Sequence, residues 1–300
     1  MVHSYERYLA SKRTVEDRSL NAEVIRVLQA RLPSGRLRVL EIGSGIGTMV
    51  ARLATTGLVR QGHYLMTDAE PSFLAASTAW LGAWGRQYGY SIATTADGMH
   101  FSSADLDLRV SAQCVPAEVL EPMPDRPLVD LLVCNSVLDL VDVRTLLPRL
   151  LRLVQPQGLC WITTNFDGDT IFEPGHPADG MLMELYHRSM DDRVRDGKPA
   201  GDSRSGRHLF GHLRDAGAQI LAAGSSDWVV YGSAGAYPHD EAYFVEHILY
   251  TIEQELVGRK DIKPGLVGEW LAERRAQLAR GELVYIAHQL DFLATRSSTP

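Results

Sequence analysis

Short apolar runs and longer amphipathic segments alternate along the first half of the chain. Val39 to Ile42 is the first apolar run, and a Gly43-Ser44-Gly45-Ile46-Gly47 stretch closes it before the amphipathic segment Met49 to Leu53. His63 to Thr67, Leu108 to Cys114, Leu128 to Cys134 and Leu159 to Thr164 are further runs of strand length. Between them lie helical segments, one opening at Pro71 and one over Val143–Val154. Strands alternating with helices predict an α/β fold around a parallel sheet. Later, a helix over Gly206–Asp215, closed by Gly217, precedes strand-like runs at Gln219–Val230 and Glu282–Leu293. Between those two, Phe244, Ile248, Leu249, Ile252, Leu256, Leu266, Trp270 and Leu271 recur at helical spacing, so Pro238–Gly281 predicts two or three helices. Residues 1–34 predict one or two helices, with Tyr5, Tyr8, Leu9, Val24, Val27 and Leu28 on apolar faces.

The turn after the first strand carries the most chemistry. Three glycines at alternate positions permit positive φ and let a ligand approach the backbone. The helix that begins there offers unpaired N–H groups. A dinucleotide fingerprint requires its third glycine where this chain has Thr48, so a nicotinamide cofactor is disfavoured. Asp68 closes the second strand about twenty residues later, where a carboxylate can accept from both hydroxyls of a ribose.

With Glu41 ahead of Gly43, Gly45 and Gly47, the turn resembles motif I of the class I S-adenosylmethionine (SAM) dependent methyltransferases. The resemblance continues in family order over about residues 35–168, through Thr67-Asp68-Ala69-Glu70-Pro71, Val115-Pro116-Ala117-Glu118, Asn135-Ser136-Val137-Leu138-Asp139 and Pro156-Gln157-Gly158. It implies a Rossmann-like, seven-stranded, mostly parallel sheet with helices on both faces and an antiparallel seventh strand beside the fifth. It also implies an N-terminal helical flap over 1–34, a core over 35–237 and 282–300 with a substrate insertion at 167–205, and a helical cap over 238–281. The implied cofactor is SAM, leaving as S-adenosyl-L-homocysteine. Its implied contacts are Gly43, Ser44, Gly45 and Gly47 by close backbone approach, Glu41 towards the methionine part, and Asp68 with Ala69 at the ribose. Val115 and Pro116 stand at the adenine and the Asn135 backbone at the amino group; either Tyr8, Arg13 or Arg18 reaches the methionine carboxylate, or Tyr8 packs and the arginines are solvated.

Composition narrows the partners. The 300 residues carry a net charge of −7 without a basic block, so an extended nucleic acid surface is not expected. No apolar stretch is long enough for a membrane span, and the polar N-terminus does not read as a secretory signal. Cys114, Cys134 and Cys160 fall in or at the ends of strands and read as buried small hydrophobes of a reducing, cytoplasmic compartment. The excess of Arg over Lys suggests a GC-rich bacterial genome.

A small-molecule acceptor with a nitrogen or oxygen nucleophile follows, shaped by the insertions. Ser136 and Asp139 follow the fourth strand; Asp139 either caps the next turn or accepts the acceptor's proton. Asp167 either shapes its turn or holds a cationic amine. On the insertion's helix, Tyr186 is a candidate substrate contact and His187 a candidate base. Arg204 and Arg207 can fork onto an anion or belong to a polar loop before a helix. His208 and His212 lack a third ligand, so no metal is expected. An aminopropyl transferase of the same fold would carry an acid in motif I where Ile46-Gly47-Thr48 has none; a non-catalytic SAM-binding protein is the other alternative. The cap could equally serve as a homodimer interface.

Overall fold

In a computed structural model, residues 3–123, 127–195 and 197–296 are described. Three helices open the chain: α1 (Tyr5–Ser11), α2 (Arg13–Ser19) and α3 (Ala22–Arg31). Then come β1 (Leu37–Ile42), α4 (Thr48–Thr55), β2 (Gln61–Asp68), α5 (Pro71–Gln87), β3 (Ser91–Thr95), β4 (Gly98–Ser102) and β5 (Asp107–Cys114). β6 (Val129–Asn135), α6 (Val143–Leu153), β7 (Val154–Glu173), α7 (Asp179–Asp191), β8 (Val194–Arg195), β9 (Lys198–Pro199) and α8 (Ser205–Asp215) follow. The chain ends with β10 (Ala218–Ser225), β11 (Trp228–Val230), α9 (Glu241–Leu256), α10 (Leu266–Ala279) and β12 (Val284–Arg296).

The main sheet runs β10-β12-β7-β6-β1-β2-β5-β4-β3, with β11 also paired to β12. β1 is parallel to β2 and β6, β2 to β5, and β6 to β7, while β12 lies antiparallel between β7 and β10. The expected seven-stranded order is therefore present, with an added β3–β4 hairpin at one edge. Alternate residues of the central strands face opposite sides. Val39, Leu131 and Val133 join α3, α4 and α5 in one core, whereas Leu40, Leu132 and Cys134 join α6 and α8 in the other.

Several elements differ from the sequence reading. The N-terminal segment forms three helices because the chain turns at Lys12 and again at Leu20-Asn21, whose Asn21 side chain caps α3. The run expected over 219–230 breaks into β10 and β11: Asp227 accepts from Ser225 Oγ at 2.6 Å and from the Gln289 amide at 3.2 Å, and this turn interrupts pairing. β7 extends far beyond Thr164, because Phe166 and, past an irregularity in the register, residues 170–173 of the insertion pair with β12 instead of forming a loop. That long ribbon, with β11, α7, α9 and α10, encloses a third core around Phe172, Trp228, Phe244, Trp270 and Tyr285. Cys114 is exposed at the sheet's carboxyl edge rather than buried; Cys134 and Cys160 are buried. No helix among the described residues is long and apolar enough to cross a membrane.

Candidate active site

The carboxyl ends of β1, β2 and β6 open into a cleft of about 190 Å³ built around the glycine turn. The turn exists because Gly43 and Gly45 take φ of +64° and +53°, a region L side chains avoid. A Cβ on Gly43 would stand 2.7 Å from Val137, so the backbone there has no room for a side chain. Gly47, also at positive φ, is the N-cap of α4 and supplies no side chain to cap it. Asp68 braces the loop: its Oδ2 accepts from the Gly45 amide at 2.8 Å and its Oδ1 from the Glu70 amide at 2.9 Å. Each carboxylate oxygen keeps a further lone pair for a ligand. Ser44 is buried in the cleft wall and its Oγ has no hydrogen-bond partner among the described residues.

Glu41 lies beneath the turn, fully buried. Tyr64 donates to its Oε2 at 2.8 Å, yet burial dominates and pushes the carboxyl up to about 8. Ala69, Val115, Ala117 and Glu118 line the far end of the cleft, while Pro116 faces an adjoining groove. Tyr5, Leu9 and Lys12 of the N-terminal helices cover the near side, where Tyr5 stacks on Phe73 with ring centroids 5.1 Å apart.

What fastens these helices is a buried charge network. Glu16 meets Lys12 Nζ at 3.0 Å and Arg52 at 3.0 Å, and accepts from Asn135 Nδ2 at 3.2 Å and Ser136 Oγ at 3.4 Å. Burial alone would raise this carboxyl, but Lys12 and Arg52 outweigh it and hold it below the ordinary value. Arg52, on the helix that follows the glycine turn, also binds Asp17 at 2.6 Å. Asn135 uses its oxygen as well, accepting from Thr163 and Thr164 hydroxyls at 2.8 and 3.0 Å. Its side-chain oxygen and one of its two amide protons are therefore engaged within the protein, although the residue lines the cleft.

A second cavity, about 400 Å³, adjoins the cleft; Tyr5, Lys12, Ser136 and Leu140 line both. Tyr8, Phe166, Tyr186, Trp228 and Tyr285 give it aromatic walls. Asp139 lies in the wall with Oδ1 unpartnered among the described residues, and burial raises its carboxyl, partly offset by a backbone hydrogen bond and by Lys12 and Arg193. His247 stacks on Tyr8 at 4.3 Å; burial, with His3 nearby, pulls it down to about 4.

The structure thus brings Glu41, Gly43, Ser44, Gly45, Asp68, Ala69, Val115 and Asn135 to the cleft, Ser136 to both cavities, and Tyr8, Asp139 and Tyr186 to the second. It does not bring the others there. Arg13 faces Asp17 at 3.4 Å and Trp80, whereas its neighbour Lys12 reaches the cleft, as does Arg195. Asp167 and Arg207 satisfy each other at 2.8 Å, because Arg207 opens α8 beside the end of the β7 turn. The Arg204 amide donates to Asp202, and the residue lines neither cavity. His187 points to Thr170 Oγ1 at 3.0 Å, behind the second cavity's wall. Sequence reasoning missed Lys12, Glu16 and Arg52. A Lys–Glu pair four apart on a helix reads as solvated by default, and only the tertiary docking buries it.

This sheet order, with its antiparallel strand between β7 and β10 and its ligand cleft at the parallel strands' carboxyl ends, is the fold of the class I SAM-dependent methyltransferases. Among solved structures, the chain is similar to a loganic acid methyltransferase with S-adenosyl-L-homocysteine, at 12% identity and TM-score 0.57, over 99% of this chain and 97% of that one. It also aligns with a SAM-dependent methyltransferase from Geobacter sulfurreducens in complex with S-adenosyl-L-homocysteine (14% identity, TM-score 0.46, 92% of this chain and 91% of that one). No protein-family model and no curated protein sequence matches the chain.

Proposed function

We propose that the protein is a SAM-dependent methyltransferase that moves a methyl group to a nitrogen or oxygen of a small molecule. The observation that carries this reading is the pair of adjoining cavities, one built on the glycine turn and one lined by aromatic rings, which meet at Lys12 and Ser136. A protein that only bound SAM would need the first cavity and not the second.

The cleft fits the cofactor on its own geometry. The glycine turn leaves no room for side chains, Asp68 retains acceptor capacity for ribose hydroxyls, and the buried Ser44 hydroxyl lacks a partner that a bound ligand would supply. Glu41 would sit below the methionine part, where a cationic amino group favours its ionised form. When bound, SAM supplies a methyl group already activated on a sulfonium. The chain's own work is to seat the acceptor in line, exclude water and, for a protonated nucleophile, accept a proton. Tyr5 and the N-terminal helices cover the junction, and alignment there supplies much of the rate. Asp139 is the carboxyl in the acceptor cavity placed to take such a proton.

The test is transfer of label from methyl-labelled SAM into a panel of small amines, alcohols, phenols and acids. Incorporation that S-adenosyl-L-homocysteine inhibits supports the reading, and absence of S-adenosyl-L-homocysteine binding contradicts it. With an acceptor that must lose a proton, Asp139→Asn should lower kcat by roughly 10²-fold or more.

A further inference from the structure

Two nearly fully buried polar groups in the second cavity's wall lack partners. Among the described residues, the indole Nε1 of Trp228 and the side-chain oxygen Oε1 of Gln289 have no hydrogen-bond partner. Their neighbour in the same wall, Arg193, forms no ion pair among the described residues. An unpaired buried donor is costly, and in a cavity wall a ligand is what can pair it.

The sheet sets these groups side by side. Trp228 of β11 pairs directly with Ala287 of β12, and Gln289 lies two residues further along that strand. Directly opposed residues and residues two apart project from one face, so the indole and the amide share the surface towards the cavity. Lys12 completes the group. Its ammonium stands 5.9 Å from the Trp228 ring centroid and 3.0 Å from Glu16. It has three protons, of which Glu16 engages one.

The free capacity here is that of a receptor for oxygen. Trp228 can only donate, Lys12 and Arg193 carry positive charge, and the Gln289 amide can turn its NH₂ to the cavity. Asp139, the one acid of this wall among the described residues, is biased by burial towards its neutral form, in which it also donates. We infer that the acceptor is a carboxylic acid with an apolar or planar body, whose carboxylate is seated by Trp228, Gln289 and Lys12 at the junction with the cleft.

This rests on the methyltransferase reading above and narrows it. A carboxylate oxygen uses a lone pair to form the new C–O bond to the methyl carbon. The C–S bond breaks and its electron pair stays on sulfur, leaving a neutral thioether and a methyl ester. The negative and positive charges cancel, no proton is released, and no general base is required. That matches a cavity whose histidine, His247, is held down at about 4 and from which His187 is turned away. The aromatic walls from Tyr8, Phe166, Tyr186 and Tyr285 suit the rest of such a molecule.

The experiment compares cinnamate and naphthalene-1-acetate with their matched alcohols and amines. Binding to protein saturated with S-adenosyl-L-homocysteine is measured by calorimetry, and label transferred from methyl-labelled SAM is treated with mild alkali, which frees methanol from esters only. The acids should bind at least about tenfold more tightly than their alcohols, and the label should be alkali-labile. Trp228→Phe, which keeps the ring, and Gln289→Glu, which adds a repelling charge, should each weaken the acids by about tenfold without changing S-adenosyl-L-homocysteine affinity. Acids that bind no better than alcohols, alkali-stable label, or variants with wild-type acid affinity would overturn the inference. Loss of S-adenosyl-L-homocysteine binding by the wild-type protein would instead remove the methyltransferase reading beneath it.

Discussion

The Gly45 amide donates to Asp68 Oδ2 at 2.8 Å, joining the glycine turn after β1 to the end of β2. One carboxylate therefore does two things: it holds the loop in its left-handed shape and offers its remaining lone pairs to the cleft. Asp68→Ala removes both. SAM affinity should fall by roughly 1–3 kcal/mol, the loss for a hydrogen-bond acceptor of charged character. Calorimetric titration checks it, and an unchanged affinity would rule out the ribose role.

Glu41 makes stability and pH interdependent. Its folded carboxyl titrates at about 8 against an ordinary 4.5, so the folded protein holds a proton that the unfolded chain has already lost. The stability contributed by this group is then greatest below pH 4.5 and is lost as pH rises towards 8. In Glu41→Gln the decline should be absent, and thermal midpoints of the two proteins should diverge across that window. Parallel curves would show that burial does not hold the proton there.

Glu16 predicts a coupled effect on folding and on the cleft. Glu16→Gln leaves Arg52 and Lys12 buried beside a neutral group, and removing one partner of a buried ion pair costs about 3–5 kcal/mol. Denaturant unfolding should register that loss. Because the same carboxylate holds Asn135 and Ser136, SAM affinity should fall with it. A variant with wild-type stability would mean the network is hydrated rather than buried.

A comparable pair joins α10 to α7. Arg274 is fully buried and its Nη2 reaches both oxygens of Asp179 at 2.6 Å, while Trp270 donates to the same carboxylate at 2.7 Å. Asp179→Ala strands that guanidinium and should destabilise the protein by about 3–5 kcal/mol. Denaturant titration measures the loss, with greater protease sensitivity in α10 as the accompanying sign.

The parallel strands were legible because each is a compact apolar run ending in turn chemistry, and the glycine turn because close backbone approach demands glycine. The β3–β4 hairpin was not, since its edge strand, Ser91–Thr95, is polar and largely exposed. The extension of β7 was hidden because its ladder with β12 joins residues far apart in sequence, Thr170 with Ala287 and Glu173 with Val284. For the site, residue type alone favoured His187, Arg204 and Arg207. Chemistry of side chains says nothing of direction, and in the folded chain Asp167 and Thr170 take up Arg207 and His187. Trp228 and Gln289 look like ordinary strand residues until the fold leaves the indole nitrogen and the amide oxygen without partners among the described residues.

The most direct test of the central claim is calorimetric titration of the purified protein with SAM, S-adenosyl-L-homocysteine and NAD in parallel. The account predicts saturable one-site binding of the two adenosyl sulfur compounds and none of NAD. Binding of NAD in place of both would contradict it.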